Sequence, residues 1–275
     1  MPINELFLLN NESLIRFGFF FAMLVVMVLW EAIAPLRHLS VSRPMRWFSN
    51  LSLVIINTVM LRAIFPLAAV GVAAIAEDRS WGLFNNVTLP NWQVVLLSVI
   101  GLDGIIYLQH VMFHALPILW RVHRVHHADL DFDVTTGLRF HPLEILLSMG
   151  IKITAVVLLG TPAIAVLFFE VLLNATSMFN HGNISLSVKF DRWLRLFIVT
   201  PDMHRIHHSV IPRETNSNFG FNLPWWDYLF GTYRDRPSVD HKEMTIGLAE
   251  FQNNLRVEQL PWMLILPFLS QPSRG

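Results

Sequence analysis

Apolar residues fall in long runs along this chain, and polar residues collect in the stretches between them. A bilayer core needs about 20 mostly apolar residues in helical form. Phe17 to Ala34 meets that requirement, with Arg16 before it, Glu31 near its end and Pro35 as a stop. It lacks a small-residue cleavage site after a basic start, so it reads as an uncleaved anchor rather than a signal peptide. Leu51 to Ala76 is a second run, interrupted by Arg62 and Pro66, and Trp92 to Phe113 is a third. Leu143 to Phe179 exceeds one span. Gly160, Thr161 and Pro162 break it, which predicts a helical hairpin that enters the bilayer and returns. Leu260 to Leu269 is short and contains Pro261 and Pro267, so it is expected to lie at the interface.

Composition agrees with a membrane setting. Hydrophobic residues make up 53% of the chain and charged residues 15%, against about 25% charged in a soluble domain. The 275 residues read as a single membrane domain without internal repeats. Zero net charge suggests no nucleic-acid partner. The absence of cysteine removes disulfides, thiolate-bound zinc, iron–sulfur clusters and thiol catalysis.

Charge also orients the spans. Arg37, Arg43 and Arg46 follow the first run, whereas only Arg79 follows the second, beside Glu77 and Asp78. The excess of arginine places the first connection in the cytoplasm. The third span then delivers His110 and His114 to the cytoplasmic end, and the hairpin leaves from that face and returns to it. The expected fold is an all-α integral membrane protein. It has four to five membrane-embedded helices under a cytoplasmic helical cap that carries a histidine-rich dimetal site.

The candidate chemistry lies in the histidines. Ten of the twelve fall between His110 and His208; His38 and His241 stand apart and read as solvated bystanders. His110 and His114 share one face of the third helix. His123, His126 and His127 form H-x-x-H-H, and His204, His207 and His208 repeat it. Positions i, i+3 and i+4 of a helix project to one side, so these sets can converge. Neutral imidazole suits zinc, copper, iron and nickel. A tetrahedral zinc needs at most four protein ligands, so eight spaced histidines exceed one ion, whereas two ions with four or five ligands each would use them. His181, where the hairpin returns, joins the expected ligands. His141, in Arg139-Phe140-His141-Pro142, reads as a ligand, as a donor to a ligand, or as the residue that starts the next helix. There is no H-E-x-x-H, no Glu-x-x-His pair and no G-x-S-x-G.

Taken in order, these residues resemble the sterol desaturase and fatty acid hydroxylase superfamily of membrane di-iron oxidoreductases. The resemblance runs from Asp103 to Tyr233. Asp103, Tyr107, His110 and His114 look like its first box, and Leu119-Trp120-Arg121 leads into His123, His126 and His127, the second. Thr136, Arg139, His141, Pro142 and Glu144 look like the segment that follows. Thr200-Pro201 leads into His204, His207, His208 and Ser209. Asn218-Phe219-Gly220, Trp226-Asp227 and Phe230-Gly231-Thr232 look like the closing motif. Some hydroxylases of the superfamily carry a further H-x-x-x-H before the last box; here His181 is present but Ser177 stands four positions earlier. The resemblance implies two iron ions, dioxygen as co-substrate, electrons from a separate electron-transfer protein, and a lipid substrate oxidised at an unactivated C–H bond. Hydroxylation is favoured over desaturation, in a bacterial inner membrane or the endoplasmic reticulum. A zinc-dependent membrane hydrolase and a non-catalytic lipid or metal carrier are the competing readings.

Asp103, His141 and Glu170 are the candidate catalytic side chains outside the ligand set. Asp103 lies seven residues before His110 and is expected to bond a ligand histidine or a buried arginine; an ionisable group within a span is costly and commonly functional. Glu170, in the returning helix with Asn174 one turn on, is expected near the metals or the lipid path. Asp202 is expected to cap the helix of the last box. Asp129, Asp131 and Asp133 read as solvated loop with Asp133 nearest the site, and Asp227 as the anchor of a loop over the site.

Overall fold

A computed structural model describes residues 3–270 of the protein. Among these, regular structure is helical, with two isolated β-bridges, Pro35 to Ile184 and Ser209 to Ile246. A short helix, α1 (Ile3–Asn10), precedes α2 (Glu12–Ile33). Helices α3 (Arg43–Ile64) and α4 (Ala68–Asp78) follow. The break between them falls where Pro66 removes a backbone donor. The long α5 (Asn91–Ala115) then crosses the core of the bundle.

Proline sets the next corners. Pro117 is the first residue of α6 (Pro117–His127), and a residue before proline disfavours helical geometry. Leu116 is accordingly extended, with φ −96° and ψ 118°, and α6 folds back on α5. Helices α7 (Pro142–Leu159) and α8 (Ala163–Asn180) form the expected hairpin. Its tip is Gly160, at φ +66°, a conformation that suits a residue without Cβ. Helices α2, α3 with α4, α5, α7 and α8 are each long and apolar enough to cross a membrane.

The remaining elements gather at one end of the bundle. They include α9 (Val188–Leu194), α10 (Pro201–His207), α11 (Pro212–Thr215), α12 (Trp225–Phe230) and α13 (Leu260–Ile265). Glu31, buried near the end of α2, ties this layer to the bundle by accepting from the Val134 and Asn183 amides at 2.7 and 2.9 Å and pairing with Arg43 at 2.9 Å. Leu260–Ile265 is too short to span, and its Met263 packs with Leu53 and Val125 at the bundle end.

The three aspartates after α6 differ from the sequence expectation. Asp129, Asp131 and Asp133 are buried rather than solvated. Arg46 of α3 reaches down to pair with Asp129 at 2.8 Å and Asp133 at 2.6 Å. Asp131 accepts from the Ser40 and Val41 amides at 2.8 and 2.7 Å. Beside them Arg139 pairs with Glu258 at 2.5 Å. Despite its burial, the carboxyl of Asp129 is held down at about 2 by the guanidinium groups of Arg46 and Arg139. These pairs fasten the loop after α6 to α3 and to the C-terminal segment.

Candidate metal centre

Nine histidine rings converge where α5, α6, α8 and α10 meet, and they divide into two sets. In the first, one ring nitrogen from each of His110, His114, His123, His127 and His207 lies within 4.8 Å of all the others. In the second, the same holds for His126, His181, His204 and His208. That spread is close to twice a metal–imidazole bond of about 2.1 Å.

Helix geometry explains the division. Successive residues are rotated by about 100° around a helix, so His126 and His127 leave α6 in different directions and enter different sets. His123 and His127, one turn apart, share the first set with the His110–His114 pair of α5. The repeat at α10 does the converse: His204 and His208 enter the second set with His181, and His207 enters the first. Each H-x-x-H-H motif therefore serves both sets.

Outer contacts set the tautomers. The Nδ1–H of His110 donates to the Phe219 carbonyl at 2.7 Å, that of His207 to the Ser217 carbonyl at 2.8 Å, and that of His181 to the Ser177 carbonyl at 2.7 Å. His123 donates from Nδ1 to a carboxylate oxygen of Glu144 at 2.6 Å, and His114 to Asn216 Oδ1 at 3.3 Å. These partners only accept, so each Nδ1 carries the proton and each Nε2 presents a lone pair inward. Phe140 stacks on His126 with ring centres 4.5 Å apart, and Phe132 lies over His181 at 5.6 Å.

The loop that supplies these carbonyls is itself pinned by two carboxylates. Asp227 accepts from the Phe219 and Gly220 amides, each at 2.8 Å, and from the Thr232 hydroxyl at 2.6 Å. Asp103 accepts from the Trp226 indole at 2.8 Å and from the Leu223 and Asn222 amides at 3.2 and 3.3 Å. Asn218 takes the left-handed conformation, φ +55°, that asparagine tolerates, and its amide bridges Met203 and Arg234.

Asp103 departs from expectation, whereas His141 takes one of the three places expected for it, at a helix start, and Glu170 lines the cavity that reaches the first set. Asp103 touches neither a histidine nor an arginine; it holds the loop whose Phe219 carbonyl orients His110. His141 stands outside both sets and caps α7, accepting from the Leu143 amide at 3.1 Å, with its Nε2 facing the Leu264 carbonyl. Glu170 lies on a cavity wall, paired with Lys152 at 2.7 Å and Arg16 at 2.9 Å. The cap of α10 is Thr200 rather than Asp202, which pairs with Arg205. His38 is exposed, and His241 is half-buried. Ser177, four residues before His181, contributes through its backbone carbonyl to His181 and through its hydroxyl to Gly137, at 2.9 Å. Glu144 was visible as an acid one turn into a span, but its pairing with His123 joins residues 21 positions apart.

The donor set fits metal ions. The Nε2 atoms of His110 and His123, both lone pairs by the tautomer argument, face each other at 3.2 Å. Such a contact repels unless a cation lies between. The Nε2 atoms of His114, His127 and His207, and both ring nitrogens of His208, are buried without partners. Orphaned polar atoms of this kind cost free energy unless something binds them. Burial pushes His181 down to about 4 and His207 to about 3, and His126, His127, His204 and His208 also well below the ordinary range. Neutral imidazole, the ligand form, is the state this pocket favours.

An apolar cavity of about 290 Å³ leads to the first set. His110, His123 and Glu144 lie at one end, and Phe20, Leu61 and Phe113 contribute to its walls.

Fold and site together define an all-helical membrane protein with buried imidazole clusters arranged for two metal ions. Comparison with known proteins gives the family. The fatty acid hydroxylase profile matches residues 95–232, half of the chain. An ornithine lipid hydroxylase from Rhizobium tropici is 31% identical over 182 residues, covering 66% of this chain and 54% of that protein. An alkylglycerol monooxygenase from Danio rerio is 30% identical over 156 residues, covering 56% of this chain and 34% of that protein. A Δ7-sterol-C5(6)-desaturase from Nicotiana tabacum is 27% identical over 147 residues, covering 50% of this chain and 49% of that protein. The chain thus spans about half the length of the first of these relatives and about a third of the second. No solved structure matches it. The chain belongs to the fatty acid hydroxylase family, and all nine clustered histidines lie within the matched residues.

Proposed function

We propose that this protein is an oxygen-dependent hydroxylase of a membrane lipid, acting at an unactivated C–H position with two iron ions held by the nine histidines. The observation that carries the reading is the convergence of five and four imidazoles in two adjacent sets, with His110 and His123 of the first set lining a mainly apolar cavity between the helices. Iron bound there supplies activation of dioxygen, with electrons from a separate donor protein.

The chain's own residues do the rest. Phe113, Leu138 and Phe221 border the cavity beside His110 and His123, so an alkyl chain can lie against the first set. The imidazoles, neutral in this buried pocket, would hold the ions without adding negative charge. Among the described residues, Glu144 is the one carboxylate that touches a ring of the two sets, and it would offset part of the ions' charge at His123. The buried cap excludes water from the reacting end. Hydroxylation rather than desaturation is supported by the ornithine lipid hydroxylase and alkylglycerol monooxygenase relatives. The face bearing the centre is proposed to be cytoplasmic, from Arg37, Arg43 and Arg46 beside it.

The test is lipid mass spectrometry of membranes with and without the protein under labelled dioxygen, with His126→Ala and His207→Ala as controls. One labelled oxygen in a lipid, lost in both variants, is expected. Lipid lacking two hydrogens and carrying no label would assign desaturation instead. Oxidation retained in both variants would refute the ligand assignment.

A further inference from the structure

Away from the histidines, the same cavity carries a second chemically distinct wall. Arg16 of α2, Lys152 of α7 and Glu170 of α8 all line it. One Glu170 oxygen accepts from Lys152 at 2.7 Å and the other faces Arg16 at 2.9 Å. Glu170 is 2% exposed. One carboxylate thus serves two cations, leaving a positive charge unneutralised among membrane helices, where such charge is costly and seldom without a role. An adjoining cavity of about 470 Å³ shares Arg16, Thr58 and Asn174 and adds Glu12 and Arg62, one charge of each sign, so this part of the wall keeps one cation more than its carboxylates.

Helical rise places this cluster relative to the metal centre. Lys152 is eight residues beyond Glu144 on α7, about 12 Å at 1.5 Å per residue. Glu170 is eleven residues before His181 on α8, about 16 Å on the same rise. The wall as a whole is mainly apolar, with Leu61, Ile106 and Met149 in it, and its polar Gln109 and Ser148 bond each other at 2.9 Å. The cavity therefore has the pattern of an amphiphile: a cationic station, an apolar stretch, then the reactive end.

We propose that Arg16 and Lys152 bind the anionic group, a carboxylate or a phosphate, of the lipid that enters this cavity, and so set which carbon reaches the histidines. The inference rests on the hydroxylase reading for its consequence but not for the binding. Glu170 holds the two cations apart and tempers them, and is a positioning residue.

The test uses the full-length, iron-loaded protein in neutral-lipid nanodiscs. Displacement of a fluorescent fatty-acid probe by palmitate, hexadecyl phosphate and methyl palmitate is measured. Hydrogen bonds to charged groups are worth enough that the better anion should bind about tenfold or more tighter than the ester. Whether palmitate or hexadecyl phosphate binds more tightly separates a free acid from a phosphorylated lipid. Lys152→Met should erase the preference, and Glu170→Gln should strengthen anion binding by freeing both cations. Iron content reports that each variant is folded. Equal binding of ester and anion by the wild type would overturn the proposal, as would weaker anion binding in an iron-replete Glu170→Gln protein. Anion preference without lipid oxidation would sink the hydroxylase reading alone; oxidation without preference would sink this one alone.

Discussion

Glu144 offers the sharpest test of the two-set division. Its carboxylate accepts from His123 Nδ1–H at 2.6 Å, in a buried position. Replacing it by glutamine keeps the size and the acceptor but removes the charge. Charge-assisted hydrogen bonds contribute about 1.5–3 kcal/mol and neutral ones about 0.5–1.5. The difference, about 1–1.5 kcal/mol, corresponds to roughly tenfold in affinity. That lies at the lower edge of the 10–100-fold typical for groups that orient metal ligands. Glu144 touches only the first set, since His123 belongs with His110, His114, His127 and His207. Glu144→Gln should therefore weaken one of two ions about tenfold and leave the other near its wild-type affinity. Metal content after equilibration against graded chelator, read by mass spectrometry, should show one ion departing early. Simultaneous weakening of both ions, or none, would refute the assignment of His123 to a separate set.

The remaining predictions address other parts of the same construction. Gly137→Ala would place a Cβ 2.5 Å from the Ser177 carbonyl and 3.0 Å from His181 Nδ1, so the second set's ion should be the one lost in the same titration. Asp103→Ala should leave three donors of the Asn222–Trp226 region unsatisfied, at about 1–3 kcal/mol each for buried groups, lowering thermal stability and loosening metal together; Asp103→Asn should restore part of both. Arg46→Met should destabilise by about 3–5 kcal/mol, because Asp129 and Asp133 would remain buried without their cation, and a lowered unfolding temperature would show it. Metal-free protein should lose stability as pH falls below about 6.5. Burial holds His181 near 4 and His207 near 3, so the unfolded chain takes up protons that the fold refuses. Stability unchanged between pH 7 and about 4 would contradict it.

Much of this was legible along the chain because it is local. The apolar runs, the Gly160 to Pro162 break and the prolines at 117, 142 and 201 mark helices whose extents depend on neighbouring residues. The histidine motifs are visible for the same reason, since spacing on a helix dictates direction. What was not legible is pairing between distant segments. Asp-Leu-Asp-Phe-Asp reads as solvated loop until Arg46, 83 positions from Asp129, arrives from another helix. Asp103 stood out in the sequence as an acid within an apolar run, yet its partners include loop amides about 120 residues away, and backbone donors leave no sequence signal. Ser177 shows the same limit: the group that matters is its carbonyl, which any residue would offer.

The position of Trp226 links the site to the bilayer. Its indole bonds Asp103, seven residues before His110 on α5, which is roughly 10 Å along that helix at its ordinary rise. Gly104 leaves room for the ring: a Cβ there would meet Trp226 at 2.9 Å. The closing loop therefore also contacts the side of a spanning helix. Around it Trp225, Leu229 and Phe230 are exposed, as are Trp193 and Phe197 near α9. Exposed tryptophan and phenylalanine of this kind suit contact with a bilayer. The loop that orients His110 and His207 is thus wedged against α5 and shielded by apolar side chains. Its amides are satisfied by Asp103 and Asp227 instead of by water. A metal centre that had to stay dry while remaining open to lipid would need this division of labour: apolar contact outward, carboxylate-pinned backbone inward, and imidazole lone pairs at the end of the chain of contacts.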